Sequence, residues 1–281
     1  MKIPRPATLI ALLALALAAM FAISRCSHRL ADKPLFASAG DYPPKSGDDT
    51  LDVAIEISPL SYSLHGDSVS GLDYELLNGL ARKYGLHIKY HAFAPLDWAV
   101  KGLEQGTFDI LVSSLQSTSA LKKRLPVTES VYIDRQVLVQ NRDKAPLIKS
   151  PEQLGGDTVW IARNSPVAGR IANLAAEIGD TIIIDDSRAL TAEHIVMLTA
   201  AGDVPRCVVG EGLARAMASK YPKLDISTPI SFNQFQAWAV SPKKKALLTK
   251  LNAMLAAYIH SDEYRSISSR YIQETNITKT P

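Results

Sequence analysis

The sequence predicts an α/β protein made of two lobes of similar size, preceded by an apolar N-terminal segment. Three observations carry that expectation. From residue 50 onward short apolar runs alternate with amphipathic stretches, the pattern of β-α-β units on a mostly parallel sheet. The alternation stops after residue 113 and resumes at 158, so the elements fall into two sets. Before both sets, Lys2 and Arg5 precede an apolar run over residues 7–23, and Arg25, His28 and Arg29 follow it.

In the first set, residues 51–55 read as a short buried strand. Residues 71–84 read as a helix, because Leu72, Leu76, Leu77 and Leu80 recur at helical spacing. A strand follows at 87–92, a helix at 98–105 stopped by Gly106, and a buried strand at 108–113. The second set reads strand 158–162, helix 166–178, strand 181–184, helix 190–201, strand 206–209 and helix 211–221. A further strand at 237–240 and two helices, 243–259 and 262–271, close the chain. No short-period repeat is visible.

The N-terminal layout is that of an export signal. Three readings stay open: cleavage near Ala16, Ala18 and Ala19, retention as a membrane anchor, or a lipoprotein signal with Cys26 as the lipidated residue. Residues 27–49 contain Pro34, Gly40, Pro43, Pro44 and Gly47 and read as a tether. All three readings put the folded part outside the cytoplasm, and retention of the segment or lipidation of Cys26 also holds it at the membrane.

Composition excludes several function classes. A chain of 281 residues with 47% hydrophobic and 21% charged residues has material for a real core. A formal net charge of +3, spread along the chain, does not point to nucleic acid. The two cysteines, Cys26 and Cys207, form neither a metal motif nor a disulfide framework, and Cys207 in an apolar run reads as a buried thiol. The six histidines make no metal pattern; His87 and His91 fall on a strand. No phosphate loop, nucleophile elbow or cofactor motif is present.

Several residues outside any motif are candidates for holding a ligand. Tyr62 follows Ser58-Pro59 and reads either as a stacking surface or as packing. Trp98 reads as core or pocket. Asn164-Ser165-Pro166 open a helix, whose free N–H groups either bind an anion or are capped by Asn164 or Ser165. Arg135 and Arg163 are cations near the expected cleft.

The opening stretch 50–54 with Ser58-Pro59 and Gly71-Leu72-Asp73-Tyr74-Glu75-Leu76-Leu77 resembles that of family 3 extracellular solute-binding proteins. So does Trp98 with Leu103-Glu104-Gln105-Gly106-Thr107-Phe108-Asp109-Ile110. Tyr132-Ile133-Asp134-Arg135-Gln136-Val137-Leu138-Val139-Gln140, Glu177-Ile178-Gly179-Asp180, Tyr221-Pro222-Lys223-Leu224-Asp225 and Ile230-Ser231-Phe232-Asn233-Gln234 are similar, more particularly, to the N-terminal ligand-binding module of membrane-bound lytic murein transglycosylase F. The resemblance spans residues 50–272.

The resemblance implies a two-lobed periplasmic-binding-protein type II fold with two hinge strands. Lobe 1 is expected over 50–139 plus 235–281 and the inserted lobe 2 over 140–234, with hinge strands near 135–140 and 234–240. Ligand is expected between the lobes. The matching ligand-binding stretch is 113–124, with Ser113, Ser114, Gln116 and Thr118 as candidates and Lys122 near the position of a family arginine. The family aspartate that meets a ligand ammonium falls on Gly210, beside Glu211, which either substitutes for it or caps the next helix. The resemblance does not carry over the transglycosylases' catalytic part, so murein cleavage is not expected. The implied function is capture of a small polar solute, amino-acid-like or a peptidoglycan fragment, for transport or sensing, without a cofactor. A membrane transporter or a cell-wall enzyme is the implied partner. Two alternatives stay open: a small dehydratase using Glu211 as its acid, and a degenerate module that binds partner proteins.

Overall fold

The computed structural model describes residues 42–43, 45–47, 49–93, 96–144, 146–163, 165–187 and 190–272. The expected signal or anchor segment with Cys26, most of the tether and Asn164 lie outside the described residues. Among the described residues no helix is long and apolar enough to cross a membrane.

The strands are β1 (Thr50–Glu56), β2 (Ser63–His65), β3 (Ser68–Ser70), β4 (His87–Phe93), β5 (Ile110–Gln116), β6 (Tyr132–Asp134), β7 (Gln136–Asn141), β8 (Thr158–Trp160), β9 (Ile183–Asp185), β10 (Arg206–Gly210), β11 (Leu224–Pro229) and β12 (Gln234–Val240). The helices are α1 (Leu72–Tyr84), α2 (Leu96–Gln105), α3 (Ser119–Arg124), α4 (Val167–Ile178), α5 (Ala192–Ala201), α6 (Glu211–Lys220), α7 (Lys245–Tyr258) and α8 (Asp262–Tyr271).

Two five-stranded sheets form the two lobes, in the orders β4-β1-β5-β12-β6 and β11-β7-β10-β8-β9. In the first, β4, β1 and β5 are parallel, with Val53 opposite both Tyr90 and Ile110. β12 lies antiparallel between β5 and β6, so β6 points the same way as β5. In the second, β10, β8 and β9 are parallel and β7 runs against both β10 and β11.

Strand periodicity explains the core. Val137, Val139, Cys207 and Val209 face one side of the second sheet and join a large apolar cluster with Met217 and Ile195. Leu138 and Val208, one residue out of step, face the other side with Ile161, Ile171 and Ile230. The large cluster also takes in Val53, Ile55, Ile110 and Trp238 of the first sheet, so one apolar core runs from lobe to lobe. Helix α1 contributes Leu72, Leu76, Leu77 and Leu80, all fully buried or nearly so, and stops at Gly85 with φ 64°. Cys207 is buried, accepts a hydrogen bond from Thr199 Oγ1 at 3.3 Å, and burial pushes its thiol up to about 12.

Three features differ from the expectation. The chain changes sheet at Arg135, since β6 ends at Asp134 in the first sheet and β7 starts at Gln136 in the second. Gln136 to Gln140 therefore pair within the second sheet, not on the first-lobe side of a division at 139. The hairpin β2–β3, turning at Gly66 (φ 60°), and the edge strand β11 were not expected.

The chain enters this body at the amino edge of the first sheet. Lys45 Nζ meets Asp109 Oδ1 at 2.7 Å, Lys244 Nζ meets the same oxygen at 2.8 Å, and Ser46 hydrogen-bonds Asp52 through its N–H and its hydroxyl. Asp52 also holds His91 Nε2 at 2.8 Å. The carboxyl edge is left for the site.

Candidate functional site

In open α/β sheets the carboxyl ends of parallel strands leave backbone and side-chain groups converging on a crevice, which is where ligands bind. Here β1 ends at Glu56, β5 at Gln116 and β6 at Asp134 on one sheet; β10 ends at Gly210 and leads straight into α6 on the other.

At the first edge, Ser113 Oγ donates to Glu56 Oε2 at 2.5 Å. Burial raises the Glu56 carboxyl above its ordinary range; the Ser113 hydrogen bond opposes this and the nearby Asp73 adds to it. Asp73, in the first turn of α1, is fully buried, accepts Trp238 Nε1 at 2.9 Å and Ser61 Oγ at 2.8 Å, and is pushed up to about 6 by burial against those hydrogen bonds. Ser114 Oγ and the Tyr132 hydroxyl lie 3.1 Å apart. Burial first, and then the charges of Asp73, Asp134 and Glu56, raise the Tyr132 hydroxyl far above its usual range. Tyr132 is thus ringed by acids. Gln116 is half-buried and opposite Gln236 in the ladder.

Where the sheets meet, Arg135 forks onto Glu211 with Nε at 2.7 Å from Oε2 and an Nη at 3.2 Å from Oε1. Arg215, one turn along α6, approaches the same Oε1 at 2.5 Å. Burial opposes ionisation of Glu211, but the two arginines outweigh it and hold the carboxyl below its usual range. Asp134 is pushed up to about 6, chiefly by burial and in part by the Glu211 charge, against N–H donors from Arg135 and Gly212. These groups line a pocket of about 200 Å³ with Ile133, Gly212, Asn233 and Ile272.

Arg135 and Glu211 are thus brought together, and Ser113, Ser114 and Gln116 share the end of β5. The remaining candidates sit elsewhere. Tyr62 packs against Tyr74 (centroids 5.5 Å apart), and Tyr74 against Tyr90 (5.1 Å). Trp98 lies on Phe108 at 5.1 Å. Thr118 Oγ1 caps α3 by accepting the Leu121 N–H at 3.1 Å, and Lys122 is exposed in the last turn of that helix. Ser165 Oγ accepts the Val167 N–H at 3.3 Å at the start of α4, and Arg163 is exposed and bonded to the carbonyls of Asp186 and Ser187.

Glu56, Asp73, Tyr132 and Asp134 were not singled out in the sequence. The signal was present for Glu56, an acid closing an apolar strand; for Asp134 and Tyr132 none existed without the sheet crossing.

The family described as bacterial extracellular solute-binding proteins, family 3, matches residues 51–274. Among curated proteins, the chain is 24% identical over 205 residues to the membrane-bound lytic murein transglycosylase F of Shewanella halifaxensis (strain HAW-EB4), covering 73% of this chain and 42% of that one. It is 22% identical over 219 residues to that of Desulfosudis oleivorans, covering 78% and 48%. The chain spans less than half the length of these relatives. Among solved structures, an ancestral arginine-binding protein bound to arginine superposes with a TM-score of 0.68 at 20% identity, covering 80% of this chain and 98% of that one. A Wolinella succinogenes DSM 1740 protein complexed with lysine gives 0.68 at 18% identity, covering 83% and 100%. These likenesses show the two-lobed fold.

Proposed function

The chain belongs to the family 3 bacterial extracellular solute-binding proteins, and on that premise we propose that it is a non-enzymatic, extracytoplasmic module that captures a small amino-acid-like solute carrying a cationic group. The solute lies between the facing carboxyl edges of the two lobes, for delivery to a transporter or for sensing. Glu56 carries this reading. It stands at the carboxyl end of β1, burial opposes its ionisation, and among the described residues it is hydrogen-bonded by the Ser113 hydroxyl and the Ser114 backbone rather than by a cation. A carboxylate so placed gains most from a positive group brought in from outside. Ser113, Ser114, Gln116 and Arg135 supply neighbouring polar contacts. Relatives in fold bound to arginine and lysine support the choice of a basic solute. A peptidoglycan fragment is the second class, because the curated relatives that share this stretch are murein transglycosylases. The apolar stretch 7–23 and the tether hold or direct the module at the membrane.

The dehydratase alternative loses support: it needs Glu211 as a proton donor, and two guanidiniums keep that carboxyl ionised. The partner-binding alternative has one observation in its favour. Leu60 of the first lobe packs on Gly212 of the second, where an added Cβ would lie 2.9 Å from it, so the lobes touch directly.

A thermal-shift experiment on the full-length chain tests the proposal, with L-arginine, L-lysine, L-glutamine and a muramyl dipeptide. A ligand at a hundred times its Kd stabilises by about 2.7 kcal/mol, roughly 5–10 °C for a domain of this size. If no solute raises the melting temperature, solute capture is wrong and the partner-binding reading takes its place.

A further inference from the structure

The amino edge of the first sheet, at the opposite end of the strands from the site, sorts its charges by depth. Asp52 and Asp109 are buried there, while Lys45, Lys243, Lys245 and Lys250 are exposed. Lys45 and Lys244 both reach Asp109, and Lys243 Nζ donates to the Gln105 carbonyl. Among the described residues no ion pair reaches Lys243, Lys245 or Lys250. The outward layer of this edge is therefore mainly positive, with Asp49 as the exposed acid beside Lys250.

These lysines also stand where a helix least favours them. Helix α7 begins at Lys245 behind Lys244, which makes no side-chain cap, and no acid lies in its first turn. The positive end of the helix dipole thus meets Lys243, Lys244 and Lys245 together, and an anion from outside the chain relieves that repulsion. Further along α7, Lys250 shares a groove of about 390 Å³ with His87 and the half-buried Leu51, Leu86 and Leu247. Cations beside an apolar groove match a surface of anionic headgroups over hydrocarbon. The chain joins the body at this edge through Lys45 and Ser46, and the stretch 24–41 that links it to the apolar run 7–23 reaches at most about 65 Å. A body tethered so closely meets its membrane at high effective concentration, so weak contacts suffice to orient it.

We propose that this lysine edge rests on the anionic headgroups of the membrane that the N-terminal segment enters, and so turns the carboxyl edge and its site away from the bilayer. This rests on the reading of that segment as a membrane attachment and adds an orientation to it. β1 and β5, seven residues each, separate the two edges by about 20 Å. The solute is then taken from the aqueous side, which suits sensing better than delivery into the same bilayer. Each lysine at an anionic surface strengthens the attraction roughly fivefold, and the attraction is screened by salt.

The test is lysine acetylation, followed by mass spectrometry, of the full-length chain on vesicles of phosphatidylcholine with and without one-third phosphatidylglycerol. Lys245 and Lys250 are expected to react about fivefold more slowly, or slower still, on the anionic vesicles, while Lys220, exposed on the second lobe, reacts alike on both. Salt at about 1 M is expected to remove the difference. In a variant combining Lys245→Glu with Lys250→Glu, Lys243 is expected to lose its protection. Both positions are exposed, and an acid suits the start of α7, so this variant is expected to fold as well as the natural chain. Equal rates on the two vesicles in a chain bound to both, or Lys220 protected as strongly as Lys245, overturns the orientation alone. A chain that binds neither vesicle overturns the membrane attachment and this inference with it; solute capture is judged separately by the thermal-shift experiment.

Discussion

Replacing Asp73 by asparagine removes a carboxyl whose ionisation the fold opposes while keeping its shape. Asn Oδ1 can still accept from Trp238 Nε1, and its amide can donate to the Ser61 hydroxyl, the two groups that Asp73 holds at 2.9 and 2.8 Å. Burial raises the Asp73 carboxyl from the ordinary 3.8 to about 6. Between these values the native state keeps a proton that the unfolded chain has released. Stability from this group is therefore fully present below about pH 4, falls as the pH rises, and is lost above about pH 6. A rise of about two pH units corresponds to about 3 kcal/mol, or roughly 6–12 °C in melting temperature for a domain of this size. Asp73→Asn has no such group. Its stability relative to the natural protein is expected to improve by about 3 kcal/mol between pH 4 and pH 7.5. Urea unfolding of both chains at half-unit pH steps measures this directly. A difference that stays constant across the range would mean that Asp73 is already ionised in the fold at pH 4, and the argument from burial would be refuted.

Three other substitutions probe the framework. Gln136 is 3% exposed and both polar atoms of its side-chain amide are buried without a hydrogen-bond partner among the described residues, so Gln136→Met is expected to leave stability unchanged or raise it by about 1–2 kcal/mol; a loss in urea midpoint would show that the amide has partners. Gly79 lies where α1 meets α7, and an added Cβ would overlap the Tyr258 hydroxyl, so Gly79→Ala is expected to cost about 1–3 kcal/mol; an unchanged melting temperature would show that Tyr258 moves aside freely. Asp109, fully buried, draws Lys45 and Lys244 to the amino edge and accepts the Asp52 N–H at 3.0 Å. Asp109→Ala is expected to cost about 1–3 kcal/mol and to speed amide exchange at Asp52; unchanged exchange there would exclude a role in holding the entering chain.

The alternating strands and helices, the leucine face of α1, the strand–helix step at Gly210–Glu211 and the family resemblance were all legible in the sequence. Each is a local pattern, set by the period of a strand or a helix within a few residues. Where the chain crosses between lobes was legible only to within a few residues, because apolar residues run on both sides of Arg135, Tyr132-Ile133 before it and Val137-Leu138-Val139 after it, and only pairing partners distinguish the sheets. The edge strand β11 and the hairpin β2–β3 lacked an apolar run: β11 carries only Leu224 and Ile226 before its polar end, and each hairpin strand is three residues long.

The site is different in kind. Asp73 and Trp238 are 165 residues apart in sequence, and Glu56 comes to Ser113 across 57. Neither contact leaves a mark on the residues near it in the chain. The sequence by itself determined the strands and helices with a clear period, their order and the family, because periodicity and capping are short-range. Only the tertiary structure decided that acids gather at one sheet edge, that two arginines are spent on Glu211, and that Asp134 stands where a side chain of residue 210 would be. Those outcomes depend on which strand ends the topology brings together, and burial there, not residue type alone, sets the charge each group carries.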